Sequence, residues 1–225
     1  MIFVAVLLLF CILFYSFVSK NLKESFEQQN YLIVCAKYNK NTDFLTKTSI
    51  PSIVIEKNKD VPNVGTEATS YLHYILQNYD SLPENLIFIH DENGSWHHEG
   101  DITDNLDKWI SQYEKKGSTY YEFNNMKIEK SSAYHNEAEK ELWTQVFEPH
   151  ICKYDDALPV SGRCCAQFIV SKKQILKHPK VFYQKYYDWL IDNTSGEGLG
   201  DKNDIYSGYN TGRYAEWSWR FIFSP

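Results

Sequence analysis

Residues 85–101 read NLIFIHDENGSWHHEGD, an apolar run that ends abruptly among histidines and carboxylates. Leu86, Ile87, Phe88 and Ile89 have no polar interruption, which is the pattern of a strand covered on both faces. His90, Asp91 and Glu92 then fall at its C-terminal end. In open α/β sheets ligands bind in the crevice beyond the carboxyl ends of the strands, so a polar cluster at that place has a geometric reason to be functional. A solvated loop explains an isolated His-Asp-Glu triplet as well. Trp96, His97 and His98 follow closely, and ionisable groups packed so densely around one tryptophan are costly to bury unless they are paired.

Outward from this stretch, strand and helix signals alternate. YLIVCA at 31–36 and SIVIE at 52–56 read as two further central strands. Lys37, Tyr38 and Asn39 stand at the exit of the first, where a turn or a phosphate or sugar contact explains them equally. Tyr71, Leu72, Ile75 and Leu76 give a helical stripe over 66–79, and Pro83 prevents extension. At the start of that helix Asn63, Gly65 and Thr66 either cap it or bring backbone N–H groups toward an anion such as a diphosphate. Ile102, Leu106, Trp109, Ile110 and Tyr113 predict an amphipathic helix over 101–114. A strand is expected at 120–123, a helical segment near 137–147, and a strand over 164–170 with Cys164 and Cys165 as small buried residues. Ser171 with Gln174 reads as a capping box for a helix holding Ile175, Phe182, Tyr186 and Leu190, interrupted at Pro179. A glycine-rich stretch at 194–212 reads as a lid, and 212–225 as a closing helix with Trp217, Phe221 and Ile222 inward. The expected fold is α/β: a single domain with a mostly parallel central sheet flanked by helices.

The 225 residues suffice for one domain with a real core. Their 17 Tyr and 6 Trp argue for a folded chain and also suit sugar stacking. A formal charge of -6 provides no basic face for phosphate neutralisation along a duplex, so nucleic acid is not an expected partner. Residues 2–18 are uncharged throughout, and as a helix they would extend roughly 26 Å, just enough to cross a bilayer core. The expected organisation is a transmembrane anchor at 1–19, a polar stalk at 20–30 and a folded domain at 31–225. Lys20 and Lys23 directly after the span would favour the cytosolic side, whereas anchored lumenal enzymes show the opposite bias, so the side stays open.

NVGTEATSYLHYILQNYDSLPENLIFIH at 63–90, SWHH at 95–98, CCAQFIVSKKQILKHPKVFYQKYYDWL at 164–190 and GRYAEWSWRFIF at 212–223, in this order, resemble a domain of unknown function found in fungi, algae and large DNA viruses. That domain is in turn similar to glycosyltransferases of the GT-A type. The resemblance implies a single-pass membrane protein of the ER or Golgi, or of a virion membrane. It would transfer a sugar from a nucleotide donor to a glycan acceptor. Such enzymes hold Mn²⁺ or Mg²⁺ with Asp-X-Asp after a central strand; here the place reads His90-Asp91-Glu92, which could hold the ion or belong to a metal-free version. On this reading Asn63, Gly65 and Glu67 meet the diphosphate, Trp96 and His97 shape the sugar pocket, and Arg213 joins the substrate contacts. Glu216 is the candidate general base and His97 the second catalytic candidate; a surface ion pair of Glu216 with Arg213 or Arg220 is the plainer account. Replacing Asp91 or Glu92 by Ala is expected to abolish transfer and leave the fold intact. Two other readings use the same residues. His90, Asp91, His97, His98 and Asp101 would form the metal centre of a hydrolase, or the aromatic residues would bind glycan without turnover.

Overall fold

The computed structural model describes residues 30–124, 127–129, 136–155, 161–163 and 166–224. The expected anchor at 1–19, nearly all of the stalk, and Cys164 and Cys165 lie outside them. Among the described residues no helix is long and apolar enough to cross a membrane.

The three apolar runs form β1 (Tyr31–Lys37), β2 (Ser52–Glu56) and β3 (Asn85–His90). β1 lies between the other two and runs parallel to both, with Ile33 opposite Ser52 and Ile87. The connections carry a short 3-10 helix (Asp43–Lys47) after β1 and helix α1 (Ala68–Asn78) after β2. α2 (Ile102–Lys115) follows β3 and leads to β4 (Tyr120–Glu122). Beyond the two-stranded pair β5 (Lys127–Glu129) and β6 (Ser161–Arg163), with α3 (Glu137–Leu142) between them, the chain re-enters the main sheet as β7 (Phe168–Ser171). α3 runs on into a π-helical turn at Trp143–Phe147. The last helices are α4 (Lys172–Ile175), α5 (Lys180–Asn193) and α6 (Gly208–Phe223).

Sheet order is β2-β1-β3-β7-β4, and β7 runs antiparallel to both of its neighbours. The expectation of a mostly parallel sheet is therefore corrected to a mixed one. The physical reason is that a strand buried on both faces has the same composition in either direction, and β7 reaches its slot from a long excursion rather than a simple βαβ crossover.

Alternation along the central strands divides the core in two, because successive side chains point to opposite faces. Val34, Ala36, Leu86, Phe88, Phe168 and Val170 meet α1, α3, α5 and α6. Ile33, Cys35, Ile87, Ile89 and Ile169 meet the 3-10 helix and α2. Pro179 stands at the N-cap of α5, as expected of a restart. Ser171 Oγ accepts from Gln174 N–H at 3.2 Å, the first half of the capping box. The reciprocal half is missing, since the Gln174 amide reaches Thr119 and the Ser224 carbonyl instead.

Candidate functional site

β3 is apolar up to Ile89, and His90 lies in register with Ala36 of β1. Both belong to the sheet face that packs on α1 and α6. Beyond the C-terminal ends of β1, β2 and β3, on this side, lies a cavity of about 600 Å³. Its walls include Lys37 at the end of β1 with Tyr38 and Lys40 beyond it, Lys57 after β2, Asn63, Thr66 and Glu67 before α1, His90 at the end of β3 with Asp91 and Glu92 beyond it, and His97, Gly198 and Leu199.

Asp91 has a structural duty at the rim. Its Oδ2 accepts three backbone N–H groups, from Tyr38 at 2.8 Å, Asn39 at 3.2 Å and Lys40 at 2.9 Å. One carboxylate thus ties the exit of β3 to the exit of β1, with charge-assisted hydrogen bonds. The expectation that Asp91 can be removed with the fold intact is revised on this ground. Glu92 makes a looser contact, 3.7 Å to the Lys40 ammonium, with both side chains substantially exposed. Lys37 pairs with Glu56 at 3.1 Å.

The wall opposite the sheet is built on a tight turn. Gly65 has φ +60° and Thr66 φ +47°, the latter uncommon for a β-branched residue. α6 fits closely over it: a Cβ on Gly212 would stand 2.2 Å from Thr66 Cγ2. The Glu67 side chain makes no capping bond to α1, and its Oε2 is buried without a hydrogen-bond partner. The glycine-rich segment read as a lid docks on the same turn, Gly198 N–H donating to the Asn63 carbonyl at 2.7 Å.

Two imidazoles complete the wall. The His90 and His97 rings meet edge to face with centroids 5.3 Å apart, and His90 Nε2 and His97 Nδ1 are buried without partners. Burial, followed by the neighbouring His90 and His98, pushes His97 down to about 4, with Glu67 opposing; His97 is a neutral imidazole at pH 7. His98 turns away: its Nδ1 lies 2.9 Å from the Gly100 carbonyl oxygen and its ring packs on Trp109. Asp101 occupies the N-cap position of α2. Neither residue lines the cavity, so the five donors of the hydrolase reading do not converge. Among the described residues no three His, Cys, Asp or Glu side chains are grouped to hold a metal ion.

Of the residues singled out in the sequence, the fold gathers Asn63, Glu67, His90, Asp91, Glu92 and His97 around one cavity. Gly65 shapes the turn behind it. Trp96 lies outside, 71% exposed, with its ring against His97. Arg213 stacks over Tyr209, 4.3 Å from the ring centroid. Glu216 does not line the cavity; it is among the neighbours that, after burial and Glu67, raise the Tyr71 hydroxyl well above its usual range. Sequence reasoning missed Lys57. Its signal was positional, since it directly follows β2 as Tyr38 follows β1 and Asp91 follows β3.

Among known proteins, the family described as "Protein of unknown function (DUF3431)" matches residues 32–225. No curated protein and no solved structure matches the chain.

Proposed function

The chain belongs to the DUF3431 family, and from that starting point we propose that it is a glycosyltransferase-like enzyme of the GT-A type, transferring a sugar from a nucleotide donor to an acceptor hydroxyl. The observation that carries this reading is the cavity of about 600 Å³ beyond the ends of three parallel strands, with Lys37, Lys40 and Lys57 in its walls. Such crevices receive ligands in open α/β sheets, and the Lys37 and Lys40 ammonium groups, joined by Lys57 once it is protonated, suit a diphosphate. The volume fits a ligand of sugar-nucleotide size.

In this reading Asn63 and the lysines face the diphosphate, and His97, a neutral imidazole beside His90, donates a hydrogen bond to the sugar or its leaving oxygen. Glu67 takes the general-base role in preference to Glu216, because its carboxylate borders the cavity and has an unpartnered buried oxygen. Among the described residues no three side chains are grouped as a cage for Mn²⁺ or Mg²⁺, and Asp91 Oδ2 is already engaged by three amides. His90 and Glu92 would supply at most two ligands to an ion held chiefly by the diphosphate, as is common for Mg²⁺. The apolar run at 2–18 supports a tethered, single-pass membrane location.

The test is thermal unfolding of the full chain in detergent against a panel of sugar nucleotides, with and without Mn²⁺, since a ligand that binds only the folded state must raise the midpoint. A shift with one nucleotide class is expected; Glu67→Gln should keep that shift and, with the nucleotide so identified, lose sugar transfer. A well-folded sample that responds to no sugar nucleotide would overturn the reading.

A further inference from the structure

Lys57 is 6% exposed, yet it borders the cavity. Its Nζ donates to the Val64 carbonyl at 2.9 Å and to Thr69 Oγ1. The Thr69 hydroxyl spends its own proton on the same Val64 carbonyl, at 2.8 Å, so toward Lys57 it acts as an acceptor. An ammonium carries three N–H groups and a neutral amine two. Two acceptors therefore satisfy both N–H groups of the amine, whereas the third N–H of an ammonium finds no acceptor among the described residues. A buried donor left in that state is costly.

The charged groups around it reinforce the arithmetic. Lys37 is paired with Glu56, Glu92 faces Lys40, and Asp91 is held by three backbone amides. From the α1 side Glu67 acts on Lys57 through space, and His97 across the cavity is neutral at pH 7. Burial outweighs Glu67 and pushes the Lys57 amine down to about 7.

We propose that Lys57 is a proton-uptake site: above neutral pH it is a neutral amine before a ligand arrives, and it takes one proton from solvent when a phosphate-bearing anion enters the cavity and donates its third N–H to that anion. The nitrogen lone pair forms the new N–H bond, and nothing is oxidised or reduced. The inference rests on the reading of the cavity as a diphosphate site. Linkage gives the consequence. Above about pH 7, affinity for the anion falls toward tenfold per pH unit.

The experiment is titration calorimetry of the full chain with a nucleoside diphosphate at about pH 8.5, in two buffers of different ionisation enthalpy. The ligand's phosphates, with a last pKa of about 6, are then fully ionised, and His97 is too far below to contribute. Uptake of close to one proton is expected in the wild type. Lys57→Arg, permanently charged, is expected to bind with no uptake. Carbon-13 NMR of the lysine ε-carbons follows the same event in the wild type alone: one lysine titrating near neutrality should move well upward on binding. Binding without proton uptake overturns the Lys57 assignment and leaves the diphosphate reading standing, as does unchanged uptake in Lys57→Arg. Absence of binding across the pH range overturns both.

Discussion

Replacing Asp91 by alanine removes one carboxylate and leaves three backbone N–H groups, of Tyr38, Asn39 and Lys40, without their acceptor. Hydrogen bonds to a charged group contribute about 1.5–3 kcal/mol each in favourable cases. The three donors sit on exposed residues, so water replaces part of the loss and the contributions do not add. A net cost of about 3 kcal/mol is the expected outcome for Asp91→Ala. For a domain of this size each kcal/mol moves Tm by about 2–4 °C, giving a fall of about 6–12 °C. Asp91→Asn keeps an acceptor and loses the charge, and neutral hydrogen bonds of about 0.5–1.5 kcal/mol place it between the wild type and alanine. Glu92→Ala is the internal control: its exposed ion pair with Lys40, at 3.7 Å, contributes at most about 1 kcal/mol. Thermal and urea unfolding of the four proteins, followed by circular dichroism, gives the comparison directly. If Asp91→Ala melts no lower than Glu92→Ala, the three-amide strut is not holding the two strand exits together, and Asp91 returns to consideration as a ligand group alone.

Three further outcomes follow from the same geometry. Gly212→Ala should destabilise despite alanine's better helix propensity, because the new Cβ would lie 2.2 Å from Thr66 Cγ2 and 2.9 Å from its Cβ. Overpacking of this kind costs about 1–3 kcal/mol, and the double variant Thr66→Gly/Gly212→Ala should recover most of it; a more stable Gly212→Ala single variant would contradict the close fit. Lys57 binds its proton less readily folded, at about 7 against 10.5 unfolded. The unfolded chain therefore holds more protons between these values, and stability rises with pH by up to about 1.4 kcal/mol per unit from about pH 7 to 9. Lys57→Met should remove that rise, measured as the pH dependence of the urea-unfolding free energy, and an identical slope in both proteins would rule out the buried-amine account. His97 is depressed from 6.5 to about 4, so its contribution is lost as pH falls through that window; relative to His97→Asn the wild type should weaken steadily between those values, and a constant difference would contradict the assignment.

Much of the fold was legible because burial has a period. Ile87 and Ile89 against Leu86 and Phe88 mark a strand buried on both faces, and Leu106, Trp109 and Tyr113 mark one face of α2. Direction was not legible: Phe168 to Val170 would have the same composition in a parallel strand. In the site, the cluster after β3 was visible from residue type, but the separate roles of Asp91 and Glu92 were not. Two adjacent carboxylates differ only once the β1 exit delivers three amides to one of them. His97 and His98 diverge because adjacent residues point apart, one to the cavity and the other to Trp109. Lys57 was hidden by its neighbours, since EKNKD reads as a solvated loop until the turn at Asn58 and the bond from Lys57 N–H to the Lys37 carbonyl pull it inward.

The antiparallel β7 also sets the order in which the chain can complete itself during synthesis. Among the described residues β4 has no main-sheet neighbour except β7, and β7 is made much later, after β5, α3 and β6. Until Phe168–Ser171 leaves the ribosome, the outer edge of β3 stays unpaired and Tyr120–Glu122 has no strand to join. A long apolar edge in that condition is a template for association with other chains. Nascent chains halted before Phe168 should be cleaved readily by protease and captured by chaperones, and those halted far enough beyond Ser171 should be protected. The strand that divides the sheet is thus also the closing piece of its assembly.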